Sequence, residues 1–330
     1  MSAHSRATSV VAFFLALASA DLAAQTVITV DTTTNTGTPG NCEFLEAVQA
    51  AQANIIIDGC PAGGPGTNKI VFAPALAGQT ITYATTPSFN GLETIVDAGF
   101  RAIVLQGTGN ADGIQVNGAD VVLRGVDLRA GGSGNGVTLV SGNLTVNNST
   151  VQGRLGMNAF GSGSLVTVNN STVASTETAA ASDIAIRAGS ATSLAINNST
   201  IVASVGKGID ASSTGGTVNV YSSIVVGATP INGTSTNSGG TLLATSTANA
   251  GLAAALANNG GTTRTFALTS GAAINGGDCS ASPVARYDQR YYSNSSSGTR
   301  AVGASCDVGA YETGAQDLLA DRVFANGYEL

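Results

Sequence analysis

Residues Leu144–Val151 read LTVNNSTV, and the octet returns as VTVNNSTV at Val166–Val173 and as LAINNSTI at Leu194–Ile201. A looser copy, VNVYSSIV, lies at Val218–Val225, and a looser one still, VVLRGVDL, at Val121–Leu128. The five copies begin 23, 22, 28 and 24 residues apart. A near-constant period in the twenties, built of strand-forming residues, marks a solenoid. Within LTVNNSTV, Leu144 and Val146 alternate with Thr145, the period-2 pattern of a strand with one buried face. Asn147, Asn148 and Ser149 break it, and Val151 opens a second apolar run. A single unit cannot bury its own apolar face, so units must stack, each adding about 4.8 Å, the spacing of hydrogen-bonded strands. The expected fold is all-β, a right-handed parallel β-helix. A leucine-rich repeat would need a regular leucine framework and a helical turn per unit, and a β-sandwich would show hairpin strands without a phased repeat.

Stacking puts Asn148, Asn170 and Asn198 in one column, with Ser222 next. Asparagine tolerates the left-handed backbone region at a corner, and its amide can bond the same amide one coil away. The expectation is an internal asparagine ladder along these four positions. The same residues form N-x-S/T sequons, but sugar attachment needs a eukaryotic secretory route that nothing else in the sequence supports.

The 330 residues form mostly one array, so length is not a guide to domain number. Glycine accounts for 43 positions, tryptophan is absent and 10% of residues are charged, which suits a surface of short polar turns. A net charge of −7 argues against a nucleic-acid partner, because a phosphate-binding face needs clustered Lys and Arg, and the only lysines are Lys69 and Lys207. At the N-terminus, Arg6, the apolar run Val10–Ala18 and the small residues Ala18-Ser19-Ala20 form a secretory-signal pattern, with cleavage after Ala20 or Ala24. The run is too short to cross a bilayer, and no later segment is long enough, so the expectation is export, to the medium or the cell surface, as a monomer without a transmembrane segment. Four cysteines agree with export. Of the possible pairings, the local one, Cys42 with Cys60 and Cys279 with Cys306, is expected. Each bond would close a loop at one end of the stack and contribute about 3 kcal/mol.

The expected organisation is a signal peptide (1–24), an N-terminal strand and helical cap (25–68), β-helix coils (69–250), a C-terminal region (251–315) and a tail (316–330). Glu43–Ala53 is the best helix of the chain, with Phe44, Val48, Ala51 and Ile55 on one face. Its expected task is to cover the open end of the stack, where apolar side chains and strand edges would otherwise be exposed. Asn41-Cys-Glu-Phe-Leu-Glu-Ala-Val48, after a VDTTT segment, resembles the CSLREA motif that opens many exported bacterial β-helix proteins. Cys42, Glu46 and Ala47 match it, while Glu43, Phe44 and Leu45 stand where the motif has Ser, Leu and Arg. Farther on, Leu256–Leu268 (LANNGGTTRTFAL), Ala273–Cys279 (AINGGDC), Asp288-Gln289-Arg290 and Cys306–Glu312 (CDVGAYE) resemble the choice-of-anchor Q domain. Departures are Thr262, Phe266 and Asn275, where that family has Pro, His and Asp. The resemblance implies a secreted or surface-held β-helix and names no substrate. The tail resembles a short FxxGFE ending of exported bacterial proteins.

The only histidine is His4, inside the expected signal, so Ser-His-Asp and Cys-His catalysis and histidine-bound metals have no residues to build on. Carboxylate and arginine chemistry is left. Asp97 and Arg101 lie four apart, and Asp120, Arg124, Asp127 and Arg129 fall on one coil, with Arg154 and Arg187 expected above them. Converging, Asp120, Arg124, Asp127, Arg154 and Arg187 could place an acid and a base across a cleft holding an acidic sugar. Scattered, they are surface ion pairs. Asp288, Arg290, Arg300, Asp307 and Glu312 form a second group. Asp288, Asp307 and Glu312 offer oxygens for Ca²⁺, the one cofactor the sequence suggests; otherwise the group is a structural ion-pair network. Tyr287, Tyr291 and Tyr292 beside it are the best candidates for stacking on a sugar. Three functions are therefore open: a non-catalytic, adhesin-like protein binding glycans or surfaces, a lyase or hydrolase acting on an acidic polysaccharide, and a structural passenger.

Overall fold

The computed structural model describes residues 25–213, 215–280, 286–294, 297–303 and 305–317. The expected signal segment, and the tail beyond Asp317, lie outside these residues. The chain winds into a parallel β-helix with three strands per turn. The first side stacks Ser88–Asn90, the first half of Ile114–Arg124, the first half of Val137–Asn147, Leu155–Ala159, Ile184–Gly189, Lys207–Ser213 and Thr229–Asn232. The second side stacks Thr26–Val30, Asn68–Phe72, Thr94–Asp97, the second halves of the same two long strands, Leu165–Asn169, Ser193–Asn197, Val218–Tyr221 and Thr236–Ser238. The third stacks Thr80–Tyr83, Val104–Gly107, Asp127–Arg129, Thr150–Gly153, Thr172–Ser175, Thr200–Val202, Ile224–Val226 and Leu242–Ala244. Every pairing within the stack is parallel, as when Val166 faces Leu144 on one side and Leu194 on the other. Ile114–Arg124 and Val137–Asn147 bend through the corner between the first two sides, with register shifts at Asn117.

The apolar positions of the octets point to the axis. Val96, Leu123, Val146, Val168, Ile196 and Val220 form one continuous inward column, all essentially inaccessible to solvent. Burying each such side chain is worth about 1.5–3 kcal/mol over leaving it exposed. The corner after the second side carries Gly125, Asn148, Asn170, Asn198 and Ser222, at φ 65°, 48°, 47°, 44° and 47°. The expected left-handed corner column is therefore present. The next position forms a hydroxyl ladder. Ser149 Oγ accepts from the Val126 N–H at 3.1 Å, Ser171 Oγ from Ser149 at 3.1 Å, Ser199 Oγ from Ser171 at 3.2 Å and Ser223 Oγ from Ser199 at 3.0 Å. Each hydroxyl also donates to the carbonyl two residues back. The N–H groups of Val126, Ser149, Ser171 and Ser199 are thereby satisfied, as burial requires.

The helix Phe44–Ala53 covers the first coil, its Phe44 ring 6.2 Å from Phe72 and 5.8 Å from Tyr83. It ends at Asn54 in the left-handed conformation, so Ile55 leaves the helical face and is exposed, contrary to the sequence reading. The disulfide Cys42–Cys60 ties the segment after the helix back to its start.

The C-terminal region departs from the expectation of an end cap. Leu252, Phe266, Leu268, Ala273 and Val308 pack on the outward-facing Ala174, Val202, Ile224 and Val226 of the third side. The region is a lateral cover. Cys279 and Cys306 accordingly do not lie at an end of the stack, and they are not joined: the two thiols face each other within hydrogen-bond reach.

Candidate binding face

Alternation along the strands of the second side turns every other residue outward. Register aligns Asp97, Arg124, Asn147, Asn169, Asn197, Tyr221 and Ser238 in a single outward column. At its centre is an amide ladder: Asn169 Nδ2 donates to Asn147 Oδ1 at 2.9 Å, and Asn197 Nδ2 to Asn169 Oδ1 at 2.8 Å. The ladder thus lies one residue before the position expected from sequence. Asn148, Asn170 and Asn198 turn sideways and donate to the backbone oxygens of Asp288 (2.9 Å), Tyr287 (2.7 Å) and Asp278 (3.2 Å), while the Ser222 hydroxyl accepts from the Asp278 N–H at 2.8 Å. The period-2 rule carried the signal for the correct column, because inward Leu144 and Val146 place Asn147 outward.

The lateral cover runs along this ladder and is held by the Thr of each octet. Gln289 Nε2 reaches Thr150 Oγ1 and Thr263 Oγ1, both at 2.9 Å, and Gln289 Oε1 accepts from Thr172 Oγ1 at 2.5 Å. Thr200 Oγ1 accepts from the Ala310 N–H at 3.0 Å. The cover's edge makes a wall: Tyr291 meets Phe100 edge to face at 4.8 Å, Tyr287 is 6.4 Å from Tyr291, and the Tyr221 hydroxyl is hydrogen-bonded to Asp278. That bond holds the Tyr221 hydroxyl above, and the Asp278 carboxyl below, its ordinary range. Burial pushes the Tyr291 hydroxyl up. At the far end a notch of about 320 Å³ opens between Asn197, Asn219, Tyr221, Thr236 and Ser238. Of the three tyrosines singled out from sequence, Tyr287 and Tyr291 line the wall. Tyr292, half-buried, instead stacks on the Arg290 guanidinium of the cover at 4.5 Å.

The arginine and aspartate candidates do not converge. Asp120 and Arg124 lie at opposite ends of one strand of the second side, Asp120 bonded to Asn143 at 2.8 Å and Arg124 to Asp97 at 3.4 Å. Asp127 is buried on the third side and clamped by Arg129 (2.7 Å) and Arg264 (2.8 Å), which fastens the cover to the coil. Arg154, at the following corner, binds the Ser133 carbonyl at 3.1 Å and the Asn135 side chain at 3.2 Å. Arg187 stands on the first side, in register between Asn158 and Asp210.

The second charged group is a buried network. Arg300 is fully inaccessible and donates to Glu312 (3.2 Å), Asn170 (2.6 Å) and the Asp307 and Gly309 carbonyls (3.3 and 2.5 Å). Arg290 pairs with Asp288 at 2.6 Å, donates to the Asn259 and Glu312 carbonyls and lies 3.8 Å over the Tyr311 ring. Asp288, Asp307 and Glu312 spend their oxygens on these guanidinium groups and on N–H groups of Arg290, Tyr292, Glu312, Asn275, Thr313, Asp307 and Val302. No set of three or more His, Cys, Asp or Glu residues poised for a metal occurs among the described residues. Nor is any helix among them long and apolar enough to cross a membrane.

Comparison with protein-family models, with curated proteins and with solved structures gave no match.

Proposed function

We propose that this chain is an exported, non-catalytic β-helix protein that binds glycans along its second side. The observation that carries the reading is the outward column Asn147–Asn169–Asn197, an unbroken row of amides beside a wall formed by Tyr287 and Tyr291. Amides offer a donor and an acceptor from one planar group, which suits sugar hydroxyls, and aromatic rings offer flat apolar area to a sugar's C–H face. Rigid stacking fixes the spacing of these groups before any ligand arrives, so little ordering cost falls on binding. The resemblance to exported bacterial β-helix proteins at Cys42–Val48 and Leu256–Glu312 supports export as the setting.

The test is a glycan array with the full chain, run beside a lyase assay on acidic polysaccharides with and without Ca²⁺. Binding is expected without product release. Tyr287→Ala is expected to weaken binding at least fivefold, while Arg187→Ala on the first side leaves it unchanged. Turnover that disappears in Arg124→Ala would replace this reading with a polysaccharide-degrading enzyme.

A further inference from the structure

The two ends of the β-helix are finished differently. At the first coil the helix Phe44–Ala53 covers the axis. At the last, Thr229–Asn232, Thr236–Ser238 and Leu242–Ala244 each pair along one edge, and among the described residues no strand pairs with the other edge. The side chains register the same opening. From Leu105 to Val225 the inward column of the third side is fully inaccessible, yet Leu243, next in that column, is 43% exposed. Ile231, following Ile209 on the first side, is half-buried, and Asn237, following Val220 on the second, is exposed. A free strand edge is a template for another strand, and proteins blunt such edges with charges, with proline or with a covering element. Here no Lys, Arg, Asp or Glu occurs between Asp210 and Arg264, and Pro230 is the only proline of the final turn.

We propose that this open end is the contact between two copies of the chain, joined end to end about a two-fold axis into a dimer, where the sequence alone led to a monomer. A two-fold contact is self-complementary, so one side of the coil lies on the axis and the other two exchange. With the second side on the axis, Thr236–Ser238 pairs antiparallel with its own copy, and Asn237 faces the partner's Asn237. An amide carries both a donor and an acceptor and so matches itself. The exchange then sets Ile231 against the partner's Leu243 and Leu243 against the partner's Ile231, apolar on apolar. With the third side on the axis, Ile231 would meet the amide of the partner's Asn237, a poorer match. Charge favours the same end: copies with a net charge of −7 repel over most of their surface, and a stretch without charges is where they approach at least cost. The final turn, residues 229–244, has 16 residues. Set against about 20–30 residues and about 800 Å² per partner in a standard interface, it covers about 500 Å² per copy, close to the lower bound of a specific contact. Thr236 and Ser238 also line the notch at the end of the amide column, so the partner would complete that notch and bring its own column into line with the first.

The experiment is sedimentation equilibrium of the full chain, with no ligand, together with hydrogen exchange at several protein concentrations. A monomer–dimer equilibrium with a dissociation constant of about 10 µM is expected from a contact of this size. Exchange at Thr236–Ser238 should slow as concentration rises. Asn237→Lys, at an exposed position, sets like charges opposite each other across the axis and should weaken the dimer at least tenfold with the melting temperature unchanged. Leu243→Lys should do the same, with its melting temperature checked in parallel. Val27→Lys, exposed at the opposite end of the stack, should leave the dimer as it is. A chain that stays monomeric at every concentration, with these amides exchanging fast, would overturn the proposal. A monomer in which they exchange slowly at every concentration would mean that the chain covers its own end, and would overturn it as well. So would a dimer that survives both lysines at the open end and is lost in Val27→Lys. None of these outcomes depends on what the second side binds.

Discussion

At φ 47°, Asn170 holds a backbone conformation that costs an ordinary L-residue about 1–2 kcal/mol. Its side chain meanwhile donates to Tyr287 and accepts from the buried Arg300, so one amide joins the corner to the cover. Asn170→Ala should cost about 3 kcal/mol in urea unfolding, the sum of an orphaned buried donor and a strained corner. Asn170→Gly should cost about 1 kcal/mol less, because glycine removes the strain and not the lost bonds. Equal costs would show that the corner is unstrained. The thiol pair is a second residue-scale case. The hydrogen bond from Cys306 and the nearby Arg300 charge hold the Cys279 thiol below its ordinary range against the opposing effect of burial, while that same bond and burial hold Cys306 above its own. Since the thiolate is the reactive form, iodoacetamide should label Cys279 well before Cys306 in the native chain, and mild oxidation should remove both free thiols together. Peptide mapping would reveal the opposite order if the assignment were wrong.

Among the elements, the N-terminal helix and the lateral cover depend on buried carboxylates in different ways. Glu43, at the start of the helix, is buried, which by itself raises its pKa, but N–H groups of Gly37 and Thr38 at 2.9 and 3.0 Å more than offset this and leave it below the usual range. A folded-state pKa below the unfolded one stabilises at pH values above the unfolded pKa, and the benefit fades as pH falls through the folded value. The segment 34–46 should therefore gain hydrogen-exchange rate on acidification below about pH 4, and Glu43→Gln should flatten that dependence. The repeat made the coils legible because period-2 alternation and a phased octet each report burial locally. It placed the amide ladder one residue off because the sequence shows two adjacent asparagines and does not show which one a neighbouring segment will claim. The cover was legible only as a set of separated motifs. What joins Asn259, Asp288, Arg290, Asp307 and Glu312 is a network closed through space, in which Arg290 alone reaches Asp288, Asn259 and Glu312. No periodicity reports such contacts, and the outward side of Ala174 and Val202 gave no warning that it would be covered.

For the whole molecule, the lateral cover changes what a solenoid ordinarily does. Stacked repeats contact only their neighbours, so their stability is close to a sum of local terms and unfolding can begin anywhere along the stack. Here residues distant in sequence bridge coils directly: Arg264 to Asp127 and Gln152, Gln289 to Thr150 and Thr172, Arg300 to Asn170, Ala310 to Thr200 and Asp278 to Ser222. Five consecutive coils are thereby fastened to one segment, whereas the coils built from Thr26–Val30, Asn68–Phe72 and Thr80–Tyr83 are fastened by the helix instead. Cooperativity should therefore be uneven along the axis. Arg300→Met leaves Glu312 buried without its partner and should cost about 3–5 kcal/mol. The loss should fall on the coils from Asp127 to Val226, raising amide exchange at Thr150–Gly153, Thr172–Ser175 and Thr200–Val202 together. Exchange at Thr26–Val30 and Asn68–Phe72 should stay as in the parent chain, since the disulfide Cys42–Cys60 and the Phe44 contacts are untouched. A uniform rise over every coil would mean that the stack already unfolds as one unit and that the cover adds stability without dividing it. A rise confined to residues 297–317 would mean that the cover opens alone and the coils beneath it stand unaided.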